Sequence, residues 1–232
     1  MPTSGTRNCC GGCAVNTPGN KAAKKAARAV SQIRAPFDAA KRDTPAPAAS
    51  IECPPAWRSK PIALILGGAD CLKADMARAL ALFTPSVIIA VNNAGYDHPG
   101  PLDHWATMHP DKMPEWVKKR RANGYPDAGT LWRPRHRQPG GSLEMRDAPS
   151  WGGSSGLFAC VVAVKALEMR GVLCGVPMQV ERAHYDSPKP WNDCRHYLSS
   201  WKTYLPQIAG RVRSMSGWTR ELLGEPDGVW IG

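Results

Sequence analysis

Two histidines, two glycine-rich turns and an asparagine pair are the residues whose types and spacing suit ligand chemistry. His109, in Met108-His109-Pro110, and His184, in His184-Tyr185-Asp186, each fall near the carboxyl end of an expected strand. An imidazole there can act as general base, or be a structural or surface histidine. Gly67-Gly68-Ala69-Asp70-Cys71 turns an apolar run into a helix start, where backbone N–H groups face a phosphate. Its spacing is neither the dinucleotide fingerprint nor a P-loop. The Asp70 carboxylate would repel a phosphate, so Asp70 is expected to cap the helix or accept a bond from a ribose hydroxyl. Asn92-Asn93 offers amides to a base or sugar, or forms a turn before Gly95. Gly152-Gly153-Ser154-Ser155-Gly156 precedes another apolar helix and brings two hydroxyls together with free N–H groups. It is the better phosphate cradle of the two loops, with a plain N-cap as its structural reading.

Metal chemistry has weaker support. Cys9-Cys10-x-x-Cys13 could join Cys53, but no second CxxC exists. His98, Asp103 and His104 match no familiar zinc spacing. No metal is expected.

Elements must hold these residues. Residues 61–66 and 87–91 are short apolar runs that suit strands buried on both faces of a parallel sheet. Residues 70–83 between them predict a helix with Asp70 as N-cap and Leu72, Met76, Leu80 and Phe83 along one side. This βαβ unit is expected to be right-handed. Further on, residues 105–109 predict a third strand, 114–123 a helix and 129–132 a short strand, followed by a long loop over 133–151. Residues 157–170 predict a buried helix capped by Ser154 or Ser155. A strand over 171–178, a helix over 191–208 and a strand over 211–215 follow. The fold expected over 59–232 is α/β: a single Rossmann-like domain with a mostly parallel sheet. Ligands would sit outside the carboxyl ends of its strands.

Residues 1–58 read differently. A Gly/Cys-rich start, a basic run from Lys21 to Arg28 and a Pro/Ala-rich stretch predict a flexible extension. The formal charge of +11 favours polyanions, and nucleic acid is a possible partner of that basic extension. No apolar run reaches membrane-span length, and residues 1–20 lack a secretory apolar region. With several of the eight cysteines inside apolar runs, a cytoplasmic protein with reduced thiols is expected.

The order of pieces resembles a known superfamily. A strand leads through a Gly-rich turn to a helix, and a second strand ends in Asn. A Ser-Ser-Gly start then opens an apolar helix, and a strand ending in Gly follows. The bacterial sialyltransferases with one Rossmann-like domain share this order, as do the motility-accessory-factor glycosyltransferases and the archaeal pterin pyrophosphokinases. The closest stretch is Ser154-Ser-Gly-Leu-Phe-Ala-Cys-Val-Val-Ala-Val164 with Leu173-Cys-Gly-Val176. Asp103-His-Trp-x-Thr-x-His-Pro110 is similar to uncharacterised phage and prophage proteins. The sialyltransferase first loop reads Gly-x-Gly-Pro-Ser-Leu, of which only Gly67 and Leu72 are kept here. The resemblance implies a transferase using a nucleotide-sugar donor, CMP-linked sugars among the candidates. Asn92 would hold the nucleoside and Ser155-Gly156 the donor phosphates, and His184 is the best match for the base. The family's acidic Gly-Ile-Asp position is Pro177 here. Two other readings stand beside this one. The first is a non-catalytic phage module that binds nucleic acid or protein on a nucleotide-binding fold. The second is a nucleotide pyrophosphokinase.

Overall fold

A computed structural model describes residues 51–232. Cys9, Cys10, Cys13 and the basic run from Lys21 to Arg28 lie outside them.

Seven strands form one sheet: β1 (Ile62–Leu66), β2 (Val87–Val91), β3 (His104–Ala106), β4 (Thr130–Pro134), β5 (Arg146–Ala148), β6 (Arg170–Cys174) and β9 (Val212–Ser214). Two more, β7 (Ala183–His184) and β8 (Ser187–Pro190), pair as an antiparallel hairpin. The sheet order is β5-β4-β3-β2-β1-β6-β9, and every neighbouring pair is parallel. The protein is therefore a Rossmann-like α/β domain. The strand order reverses beside β1, so the switch point lies between β1 and β6.

Alternation along the strands fills a core on each face, because successive side chains of a strand point to opposite sides. Ala63, Ile65, Ile89 and Val91 meet α4 (Ser155–Val161) and α5 (Arg195–Ile208). Leu64 and Leu66 meet α1 (Leu72–Leu82) and the carboxy-terminal α7 (Gly228–Ile231), which delivers Trp230. Ala90 and Trp105 meet α3 (Met113–Ala122) on that same second face. Two short helices, α2 (Ala94–Asp97) and α6 (Gly217–Leu223), complete the set.

Several local expectations are corrected. The stretch 133–151 is not all loop, since β5 pairs with β4 inside it. The buried helix after Ser154 ends early: α4 continues as a π-turn over Val162–Ala166, and β6 already begins at Arg170. That strand stops at Cys174 rather than 178. Cys71, not Asp70, occupies the N-cap of α1 and makes no side-chain cap bond. The buried side of α1 runs through Leu72, Met76, Ala79 and Phe83, while Leu80 is 50% exposed. Asp75 takes the remaining inward position. The packed unit also reaches back before residue 59, because Cys53 is buried and Arg213 donates to the Ile51 carbonyl at 2.5 Å.

Candidate functional site at the carboxyl edge of the sheet

All seven strands are parallel, so the loops that follow them share one edge. The turn after β1 is spent on the protein itself. The Gly67, Ala69 and Asp70 amides donate to the carbonyls of Cys174, Gly175 and Ala183. A Cβ on Gly67 or on Gly156 would collide with the Val176 side chain, which wedges between the first loop and α4. Val176 thus closes the crevice at the switch point. Asp70 faces Arg182 across 3.4 Å.

The β7–β8 hairpin lies over the same turn. His184 bridges Ala69 in antiparallel fashion, and the Tyr185 amide donates to the Gly68 carbonyl at 3.0 Å. The imidazole rests on Gly68, where any Cβ would strike Nε2. Its other nitrogen, Nδ1, lies 2.6 Å from Asp186 Oδ1. Asn93 Nδ2 donates to Asp186 Oδ2 at 2.9 Å and lies 3.5 Å from His184 Nδ1. Both side chains of the pair are partly open to solvent, His184 at 33% and Asp186 at 44%.

Asn92 holds φ at +51°, a left-handed conformation that Asn tolerates better than most residues. Its carbonyl accepts from the buried Trp105 indole at 2.6 Å. Its Oδ1 accepts from Thr107 Oγ1 at 2.8 Å, and Thr107 Oγ1 in turn accepts from the His109 amide at 2.8 Å. This chain of bonds locks the turns after β2 and β3 together.

The α4 start sits beside that second turn. Ser154 Oγ accepts from the Leu157 amide and from Trp201 Nε1, so it is the true N-cap and both its lone pairs are taken. Ser155 Oγ accepts from the Met108 amide at 3.2 Å. Arg137, on the loop after β4, donates to the Met108 carbonyl at 2.8 Å. His109, Ser155 and Arg137 are thereby gathered around one residue.

Burial first, then the charges of Lys112 and Arg137, hold the His109 imidazole below its ordinary 6.5. At the hairpin end burial, then Asp97, push the Tyr185 phenol up, with Asp186 adding to the effect.

Two grooves lie elsewhere. One of about 460 Å³, lined by Trp105, Val117, Leu131, Leu143, Arg121 and Arg146, flanks the amino-terminal ends of β4 and β5. Arg121 there is already held by both oxygens of Asp127. A second of about 410 Å³ lies between Ile51 and the 223–227 turn. Neither includes a residue of the carboxyl edge. His98, Asp103 and His104 do not converge: Asp103 accepts from the Ile88 amide and His104 Nδ1 from Trp132 Nε1. Among the described residues no three His, Cys, Asp or Glu side chains converge as a metal site, and no helix is long and apolar enough to cross a membrane.

Sequence reasoning passed over Asp186, Thr107, Arg137 and Asp75. The His184-x-Asp186 spacing was a usable signal only once the hairpin is seen, because Tyr185 and Asp186 form its two-residue turn and bring Asp186 back onto His184. The others are defined by contacts across the fold. Compared with protein-family models, curated proteins and solved structures, the chain matches none.

Proposed function

We propose that the protein is a transferase that draws on a nucleotide-activated donor, in the first instance a nucleotide sugar. The observation that carries this reading is the His184–Asp186 pair, 2.6 Å apart and braced by Asn93, on the same sheet edge as Asn92, His109 and Ser155. In this reading Ser155, Gly156 and Arg137 take the donor phosphates, while Asn92, Asn93 and Asp70 take base or ribose. His184 is the base, in preference to His109, because only His184 has a carboxylate on its second nitrogen. Gly67 and Gly68 serve by making room for Val176 and His184. A cytoplasmic setting accords with the buried thiols of Cys53, Cys71, Cys160 and Cys174, which form no disulfide among the described residues. Titration calorimetry against nucleotides and nucleotide sugars tests the reading. Binding of at least one member is expected, and silence across the panel sinks it.

A second reading, a nucleic-acid-binding module, is favoured by one feature. Arg135, His136 and Arg137 form an exposed basic turn at the same edge. It predicts a gel shift that weakens steeply with salt. No shift at low salt removes it.

A further inference from the structure

The larger groove lies at the opposite end of the sheet, where β4 and β5 begin. Its volume is about 460 Å³, within the range of a small-molecule site. Its floor is the uncovered side of the cluster that joins Ala90, Leu102, Trp105, Met113 and Val117, against which Leu131 and Leu143 pack only in part. The charged side chains of the lining are Arg120, Arg121, Asp127, Glu144 and Arg146. Arg120 is engaged by the carbonyls of Gly95, His98, Gly100 and Pro126. Arg121 binds both oxygens of Asp127, so that pair is neutral as a unit. Glu144 and Arg146 remain. They are exposed at the start of β5, whereas Leu143 and Met145 turn to the core. Neither has an ion-pair partner among the described residues, and they do not pair with each other. The Arg146 guanidinium lies 5.9 Å from the Trp132 ring centre, a contact that leaves its charge without a counter-ion.

An apolar floor beside one unmatched cation and one unmatched anion restricts what the groove can take. A ligand with a single negative charge meets Arg146 but is repelled by Glu144, and a cation meets the reverse. A stretch of peptide chain brings no backbone charge to either. A zwitterion satisfies both. We infer that the groove is a binding site for a free α-amino acid with a large apolar side chain. The side chain lies over Val117, Leu131 and Leu143. The carboxylate meets the Arg146 guanidinium, whose N–H fork matches a carboxylate, and the ammonium meets Glu144. The inference rests on neither reading of the carboxyl edge, because the groove shares no residue with it. Exposed ion pairs contribute little, so the apolar side chain sets the strength of binding and the two charges set its selectivity. Affinity is weak, and it rises with apolar area from alanine to leucine to phenylalanine.

Amide proton–nitrogen correlation spectra of the full chain read binding of this strength. Titration with L-leucine and with L-phenylalanine should give saturable shifts concentrated at residues 117–121, 128–131 and 143–146, and glycine should give none. N-acetyl-L-phenylalanine lacks the ammonium and L-phenylalaninamide lacks the carboxylate. Each should bind roughly threefold more weakly than phenylalanine, the scale of an exposed ion pair. Glu144→Gln should erase the difference between phenylalanine and its N-acetyl form, and Arg146→Gln the difference between phenylalanine and its amide. Both positions are exposed, so the spectra of the variants should match the wild type away from the groove. Absence of saturable shifts with leucine and phenylalanine overturns the inference, as does saturation at residues outside the groove. N-acetyl-L-phenylalaninamide bound as tightly as phenylalanine also overturns it and marks a seat for a peptide segment. Decanoate bound in preference to the amino acids overturns it in favour of a simple apolar anion. Discrimination that survives both substitutions refutes the assigned contacts.

Discussion

At the scale of single residues, the chain spends charge inside the fold as well as on its surface. Asp75 is 2% exposed on α1, yet it is fully engaged. Its Oδ2 accepts from the Gly175 amide at 2.9 Å and from Ser216 Oγ at 2.6 Å, which ties α1 to the turns after β6 and β9. Cys71 Sγ lies 3.3 Å from the same Ser216 hydroxyl, and burial pushes its thiol up to about 11. Asp75→Ala leaves the buried Gly175 amide without its acceptor and removes the carboxylate from the half-buried Ser216 hydroxyl. Urea unfolding followed by tryptophan fluorescence should show a loss of about 2–5 kcal/mol. A loss within 0.5 kcal/mol, on the order of an ordinary surface substitution, contradicts that account.

A second prediction at this scale concerns pH. Burial is the largest cause holding His98, His104 and His109 below 6.5. The unfolded chain therefore binds protons at these sites more readily than the native one, and acid favours unfolding. On the acid side, stability should fall as pH drops through 6.5 toward the lower native values. His104→Gln should flatten part of that slope, because protonation of His104 Nδ1 also breaks its 3.3 Å bond from Trp132 Nε1. A urea midpoint that does not move between pH 7.5 and 5.5, the interval spanning the ordinary histidine range, refutes this.

At the scale of elements, α7 shows how a four-residue helix is held. Trp230 is 3% exposed, and its indole donates to the Gly210 carbonyl at 2.7 Å. The Arg170 and Arg213 guanidinium groups lie 4.9 and 5.8 Å from its ring centre. Arg170 also donates to the Trp230 and Ile231 carbonyls. Buried guanidinium groups serve here as backbone clamps, and Arg120 does the same for the 95–100 turn through the carbonyls of Gly95, His98 and Gly100. Trp230→Ala should cost about 3–5 kcal/mol in chemical denaturation. The neighbouring Val229, 91% exposed, is the control: Val229→Thr should change stability by less than about 0.5 kcal/mol.

At the scale of the whole molecule, the formal charge of +11 overstates the surface available to a polyanion, because Arg120, Arg170 and Arg213 are buried in carbonyl cages. The sheet is organised outward from β1. All five β1 residues are buried, with β2 on one side and β6 on the other, and both faces are covered by helices. Backbone amides there open only when the domain opens. Hydrogen exchange should therefore be slowest in β1, β2 and β6 and faster in β5 and in the β7–β8 hairpin. Exchange from β1 as fast as from β5 contradicts a sheet built around β1.

The fold class, and the placing of several candidate site residues on one sheet edge, were legible without coordinates. Continuous apolar runs at 61–66 and 87–91 dictate strands buried on both faces, and such strands need helices between them. Pairing of those strands in parallel puts Gly67, Asn92 and the Ser154–Gly156 turn on one edge. These are consequences of local pattern. The tertiary structure decided what each residue does at that edge. Ser154 became a doubly accepting cap because Trp201, nearly fifty residues later, reaches its hydroxyl. Gly67 became a seat for Val176, and Gly68 a seat for His184, because the chain folds back after β6. The His184–Asp186 pair was present in the sequence as a spacing of two, but its bracing by Asn93 depends on that fold-back. Contacts between residues far apart in the chain leave no periodic trace in it, so their partners emerge only when the sheet has been assembled.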